Sequence, residues 1–190
     1  LDSVDLIEAE RLGIVVSYTP DAPAPAVTDL TMGLIYTLLR KVHVSNIQLH
    51  QGKWHRYMGK RLSDCTIGII GAGRVGSQVI INLQALGCKR ILYNDKKVRL
   101  KAENNDRVVF AEKEEIYKIS DIISFHVPLD LETKNLITIK EIKLMKKDVL
   151  LVNTARGGII NERDLSIALQ DKLIAGAAID VYEDEPYSGE

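Results

Sequence analysis

The sequence has little of what would mark a special environment. It holds 2 cysteines, Cys65 and Cys88, in 190 residues. That is too few for a disulfide framework or a thiolate metal centre, so a reducing, cytoplasmic setting is expected and no metal is. No run approaches the roughly 18 apolar residues of a membrane-spanning helix. No early stretch has the charged, apolar and small-residue order of a secretory leader. An excess of one charge is missing too, since the net charge is −1. That argues against a surface built for nucleic acid or an anionic membrane. The basic residues Lys96, Lys97, Arg99 and Lys101 read as a solvated loop. An initiator Met is also lacking, and the chain opens in a helix-like segment, as a piece of something longer would.

What is present is ordinary for a folded domain. Hydrophobic residues make up 46% and charged residues 27%, enough for a proper core and a soluble exterior. Residues 2–12 place Val4, Ile7 and Leu12 in a helical pattern that Gly13 stops. Residues 14–17, IVVS, read as a short strand. The connector TPDAPAPAV follows, and Pro20, Pro23 and Pro25 make it stiff, as an interdomain hinge would be. Residues 27–51 read as one long helix that is apolar almost all round, with Leu30, Met32, Leu34, Ile35, Leu38, Leu39, Val42 and Val44. A helix on one sheet face needs a single apolar stripe. This one is expected to be covered on two sides, between domains or in a two-fold homodimer.

From residue 66 onward strand and helix patterns alternate. Strands are expected at 66–70, 90–94, 122–125, 149–153 and 174–180, with a small one at 108–110. Helices are expected at 74–86, 113–118, 139–145 and 162–170. The strands are continuous apolar runs, the mark of a parallel sheet covered on both faces. The fold class is therefore α/β, a Rossmann-type doubly wound parallel sheet with a long N-terminal helix.

The first strand of that series runs into GAGRVG, residues 71–76. Gly71 permits a tight turn, Gly73 lets backbone approach an anion, and Gly76 lets the next helix pack on the strand. The helix start then offers free N–H groups to a pyrophosphate. Asp95 stands at the end of the next strand, where a carboxylate accepts ribose hydroxyls and repels a 2′-phosphate. The spacing favours NAD over NADP, although Lys96 and Lys97 leave a phosphate partner in reach.

Ligands of such sheets bind beyond the C-terminal strand ends. His126, Val127 and Pro128 follow one strand, Thr154, Ala155 and Arg156 another, and Asp180, Glu183, Asp184 and Glu185 a third. Arg156 is placed either to clamp a carboxylate with two N–H groups or to cap a helix at the surface. His126 suits acid–base work or simple packing. His43, His50 and His55 carry no pattern, and Trp54 and Met58 read as packing residues.

Four blocks, GIIGAGRVG, SDIISFHVPLDLETKNLI, LLVNTARGGIINERDLSIAL and AGAAIDVYEDEP, resemble in order and spacing the cofactor-binding domain of the D-isomer-specific 2-hydroxyacid dehydrogenases. The hinge and long helix upstream are similar as well. The resemblance implies a division into residues 1–25, the end of a substrate domain and its hinge, and 26–190, the NAD-binding domain. It also implies roles. Arg156 would bind the substrate carboxylate and Glu185 would support a catalytic histidine. Asp180 would hold the nicotinamide carboxamide, Arg74 and Val75 the pyrophosphate, and Asp95 the ribose. Val127, Pro128, Thr133, Thr154, Ala155 and Arg156 would line the cofactor. In this family the catalytic histidine follows the Glu-Pro block, so it lies outside these residues, His126 is not its equivalent, and the chain alone is expected to be inactive. Asp95 comes one position later than the commonest spacing, which brings Asn94 into the same role. The reading is an oxidoreductase acting on a 2-hydroxy or 2-keto acid. An NAD-sensing corepressor, or a Rossmann domain for S-adenosylmethionine, remains open on the same fold.

Overall fold

The structure, a computed structural model, describes residues 4–19, 21–97 and 106–186. Asp2 in the first helix pattern, Pro20 of the hinge, and Arg99 and Lys101 of the charged loop lie outside the described residues. Helix α1 spans Leu6–Arg11, with the Asp5 side chain accepting from the Glu8 N–H at its start. Residues 14–17 form no strand, and Val15 is 92% exposed. A β-branched run needs a neighbour to complete its ladder, and none of the six strands pairs with it.

The single helix expected over 27–51 is two. Helix α2 spans Ala24–Arg40 and α3 spans Val42–His50. Lys41 between them adopts a left-handed conformation, φ 52°, and its N–H closes the α2 carbonyls of Thr37 and Leu38. The burial expected on two sides is found on one. Ile35, Leu38 and Leu39 are buried, while Leu30 and Tyr36 are exposed and α3 buries no residue. Trp54 and Met58, read as packing residues, are 78% and 88% exposed.

Six parallel strands follow: β1 Thr66–Ile70, β2 Arg90–Asn94, β3 Val108–Phe110, β4 Ile122–Phe125, β5 Leu150–Asn153 and β6 Gly176–Ile179. Their order is β3-β2-β1-β4-β5-β6, so the sheet winds outward in both directions from β1. Between them run α4 Arg74–Ala85, α5 Lys113–Ile119, α6 Ile139–Ile142 and α7 Glu162–Gln170. The pattern-based bounds hold to within a few residues, with α6, β5 and β6 shorter than expected. A capping arrangement opens α6, where the Thr138 hydroxyl accepts from the Lys140 N–H and the Glu141 carboxylate accepts from the Thr138 N–H. Asn161 caps α7 through the Asp164 N–H.

The sheet is buried on both faces. On one, Ile67 and Ile69 of β1 meet Val79 and Leu83 of α4 and Ile35 and Leu39 of α2. On the other, Ile70, Ile123 and Phe125 meet Ile116, Ile142 and Leu165 of α5, α6 and α7. Helix α2 is thus part of the domain core and not a tether. Cys65 and Cys88 are buried free thiols, and burial pushes the Cys65 thiol up to about 11. No described helix is long and apolar enough to cross a membrane.

Strand register decides where the loops go. Ile70 lies beside both Asn94 and Phe125, Phe125 beside Asn153, and Asn153 beside Ile179. The next residues, Gly71, Asp95, His126, Thr154 and Asp180, therefore emerge level with one another on a single rim. Because α2 belongs to the core, Ile35→Ala should lower unfolding free energy by about 2–5 kcal/mol. A urea titration followed by circular dichroism measures this, and a change below about 1 kcal/mol would place α2 outside the cooperative unit.

Candidate functional site

A cavity of about 360 Å³ opens on that rim at the point where strand order reverses. Its walls are Pro23, Ala24 and Val27 from the start of α2, Arg74 and Val75 from α4, His126, Val127 and Pro128 after β4, and Thr154, Ala155 and Arg156 after β5. Seven of these residues were expected at the site from sequence. His126 was read as a rim residue suited to acid–base work or packing, and Pro23, Ala24 and Val27 at the start of α2 were not expected there. Their signal was the hinge sequence PAPAV, which starts α2 beside the cavity.

The glycine turn brings backbone against backbone. Gly71 has φ +95°, and a Cβ there would lie 2.6 Å from the His126 carbonyl oxygen. A Cβ on Gly76 would lie 1.9 Å from the Gly71 carbonyl oxygen. Only glycine lets α4 sit this close to β1. Gly73 precedes the helix with no side-chain cap and with open space where its Cβ would be. The first N–H groups of α4 therefore face the cavity mouth, positive end of the helix dipole first. The Arg74 guanidinium stands at the same mouth, 2.5 Å from a carboxylate oxygen of Asp21 in the hinge.

Asp95 leans over the glycine turn. Its carboxylate accepts from the Ala72 N–H and the Lys97 N–H, each at 2.8 Å. Asn94 is turned elsewhere, its side-chain amide donating to the Ala111 carbonyl at 2.8 Å. Of the two residues considered for a ribose, Asp95 is thus the one beside the glycine turn. Lys96 pairs with Glu132.

After β4, His126 is half-buried and its Nε2 lies 2.9 Å from the Ser124 hydroxyl. Removal from water pushes its pKa down to about 4, so the ring is neutral at physiological pH. Thr133 is not in the cavity wall. Its hydroxyl donates to the Pro128 carbonyl at 2.6 Å and accepts from the Asp130 N–H at 2.8 Å, which closes the loop carrying Val127 and Pro128.

After β5, the Asn153 side chain folds the chain over. Its amide donates to the Arg156 carbonyl at 2.9 Å and its oxygen accepts from the Ala155 N–H at 3.1 Å. Arg156 is exposed, with Nη1 donating to the Ala155 carbonyl at 2.6 Å. Asp180 and Glu185 lie outside the cavity wall. The segment that carries them crosses Gly157, where a Cβ would lie 1.9 Å from the Tyr182 carbonyl oxygen. Glu185 accepts from the Tyr182 N–H at 2.9 Å. No group of three or more His, Cys, Asp or Glu among the described residues could hold a metal ion.

An uncapped helix start, an acidic residue on one side and a guanidinium on the other fit a dinucleotide with its pyrophosphate in the middle. The comparisons agree. Residues 32–190 match the family model "D-isomer specific 2-hydroxyacid dehydrogenase, NAD binding domain". The chain belongs to this family. It is 38% identical over 188 residues to a D-3-phosphoglycerate dehydrogenase of Methanocaldococcus jannaschii, covering 98% of this chain and 36% of that protein. It is 35% identical over 198 residues to a glyoxylate reductase of Thermococcus litoralis, covering all of this chain and 60% of the relative. A solved D-lactate dehydrogenase of Aquifex aeolicus, complexed with NAD and lactic acid, superposes with a TM-score of 0.87 at 32% identity. That match covers 97% of this chain and 56% of the other. The chain thus spans only part of the length of these relatives, and residues 32–190 of it match the family's NAD-binding domain.

The low pKa of His126 has a consequence for stability. An unfolded imidazole titrates near 6.5. Between that value and about 4 the unfolded chain binds more protons than this dehydrogenase domain does, so stability falls as pH falls through that window and is flat above it. Unfolding free energy should drop on the order of 2 kcal/mol more in the wild type than in His126→Asn between pH 7 and pH 4.5. Parallel urea titrations at the two pH values measure the difference.

Proposed function

We propose that the whole protein is an NAD(H)-dependent D-2-hydroxyacid dehydrogenase, of the 2-hydroxy and 2-keto acid chemistry named for its relatives. The cavity that joins the open α4 start to Arg156 carries this reading. The cofactor supplies or accepts a hydride when bound. The chain's own residues hold the reactants. Gly71, Gly73, Gly76, Arg74 and Val75 receive the pyrophosphate, and Asp95 the adenosine ribose, which favours NAD over NADP. Val127, Pro128, Thr133, Thr154 and Ala155 shape the wall, and Asp180 serves the carboxamide.

Arg156 fixes the substrate carboxylate in a two-pronged contact and keeps positive charge beside the developing alkoxide. Glu185 positions the histidine that moves the substrate's proton, a residue placed after the Glu-Pro block in this family. A carboxylate partner raises the pKa of such a histidine and keeps it protonated for keto-acid reduction. Residues 1–25 are read as the end of the substrate domain with its hinge. A cytoplasmic location accords with the buried free thiols.

Calorimetry on residues 1–190 tests the cofactor, and NADH should bind at least tenfold tighter than NADPH. Asp95→Ala should narrow that ratio. In the full-length protein, Arg156→Gln should lower kcat/KM for a 2-keto acid about 100-fold or more, a much larger loss than any change in NADH affinity. An unchanged kcat/KM would remove Arg156 from the substrate site.

A homodimer built on residues 27–51 completes the proposal. Leu30, Tyr36, Val42, Ile47 and Leu49 are exposed large apolar side chains on these two helices, with Trp54 and Met58 just beyond. Light scattering should give twice the chain mass, and Ile47→Asp with Leu49→Asp should give a monomer. A wild type that stays monomeric at high concentration would exclude this interface.

A further inference from the structure

Two threonine hydroxyls meet behind the cavity wall. Thr31 of α2 is fully buried and Thr154, just after β5, is 6% exposed. Their Oγ1 atoms are 2.8 Å apart. Distance alone does not say which donates, but a third atom does. Thr31 Oγ1 also lies 2.8 Å from the Val27 carbonyl oxygen, one turn back in α2. A carbonyl only accepts and a hydroxyl has one proton. The Thr31 proton is therefore committed to Val27, and Thr154 must donate to Thr31. With its proton spent inward, the Thr154 oxygen has only lone pairs left for the cavity it lines.

The position along the rim indicates what those lone pairs meet. Asp95 follows β2 and Thr154 follows β5, with β1 and β4 between them. Three strand spacings separate them by about 14 Å, comparable with the distance between the two halves of an extended dinucleotide. If Asp95 takes the adenosine ribose, the β5 end faces the nicotinamide half. The hydrogen-bond donor on that ring is the carboxamide N–H2.

We propose that Thr31 is a positioning residue that holds the Thr154 hydroxyl as an acceptor for the nicotinamide carboxamide. Its place on α2 makes the helix part of cofactor selection, although no atom of Thr31 needs to touch the cofactor. The inference rests on the cofactor reading given above and adds a residue and a polarity to it. Without the Thr31 oxygen, the Thr154 proton is released and turns toward the cavity, a donor facing a donor.

The test uses two dinucleotides that differ at this group. NADH carries the carboxamide, whereas the reduced 3-acetylpyridine analogue has a methyl ketone with no N–H. Calorimetry on residues 1–190 should show Thr31→Val weakening NADH about three- to tenfold while the analogue changes less than twofold. Thr31→Ser, which keeps the hydroxyl, should restore the wild-type ratio. Thr154→Val should give the same selective loss by removing the acceptor itself, and it serves if Thr31→Val does not fold. Equal weakening of both dinucleotides by Thr31→Val would mean a packing role only and would overturn the proposal, as would unchanged NADH affinity. A wild-type chain that bound neither dinucleotide would overturn the cofactor assignment, and this inference with it.

Discussion

Where β1 ends, the Gly71 Cα faces the His126 carbonyl and the Gly76 Cα faces the Gly71 carbonyl, so three chain segments touch with no side chain between them. The start of α4 is thereby pressed onto the strand end. Its unsatisfied N–H groups then have one direction open, toward the cavity. The hydrophobic contacts on both sheet faces hold the strands in register, and the register sets the height of every loop on the rim. If α4 stood a methyl group farther out, its axis and its exposed N–H groups would point elsewhere. The open helix start is thus a property of packing as much as of composition.

The other loops on the rim are held by side chains that bond to backbone. Asn153 closes the turn that presents Arg156, Thr133 closes the one that presents Val127 and Pro128, and Asp95 ties the end of β2 to the middle of the glycine turn. Each of these residues leaves little freedom in the segment it holds, which lowers the entropy lost when a ligand is bound. Thr133 shows why a motif position need not be a contact position. It stands behind the wall and acts by shaping it.

The sheet was legible in the sequence because buried parallel strands must be continuous apolar runs, and β1, β2, β3 and β4 fall where such runs lie. The glycine turn was legible for a similar reason, since nothing but glycine satisfies the contacts at Gly71 and Gly76. The break at Lys41 was not. Lysine is rarely placed in a left-handed conformation, and no Gly or Asn marks the spot. The run at residues 14–17 has strand composition but no partner, and pairing is a tertiary fact. The two threonines were hidden for a different reason. A Thr in an apolar helix reads as a neutral filler, and only the approach of β5 gives Thr31 its second bond.

Among the residues that line the cavity, the titratable ones are two arginines and one histidine. A guanidinium holds its proton throughout the physiological range, and the imidazole of His126 stays uncharged until the solution is strongly acidic. The local field inside the cavity is therefore constant across ordinary cellular pH. For the nucleotide proposed to bind there, a change in proton concentration leaves the grip of these side chains level, and any dependence of turnover on pH has to arise elsewhere in the protein.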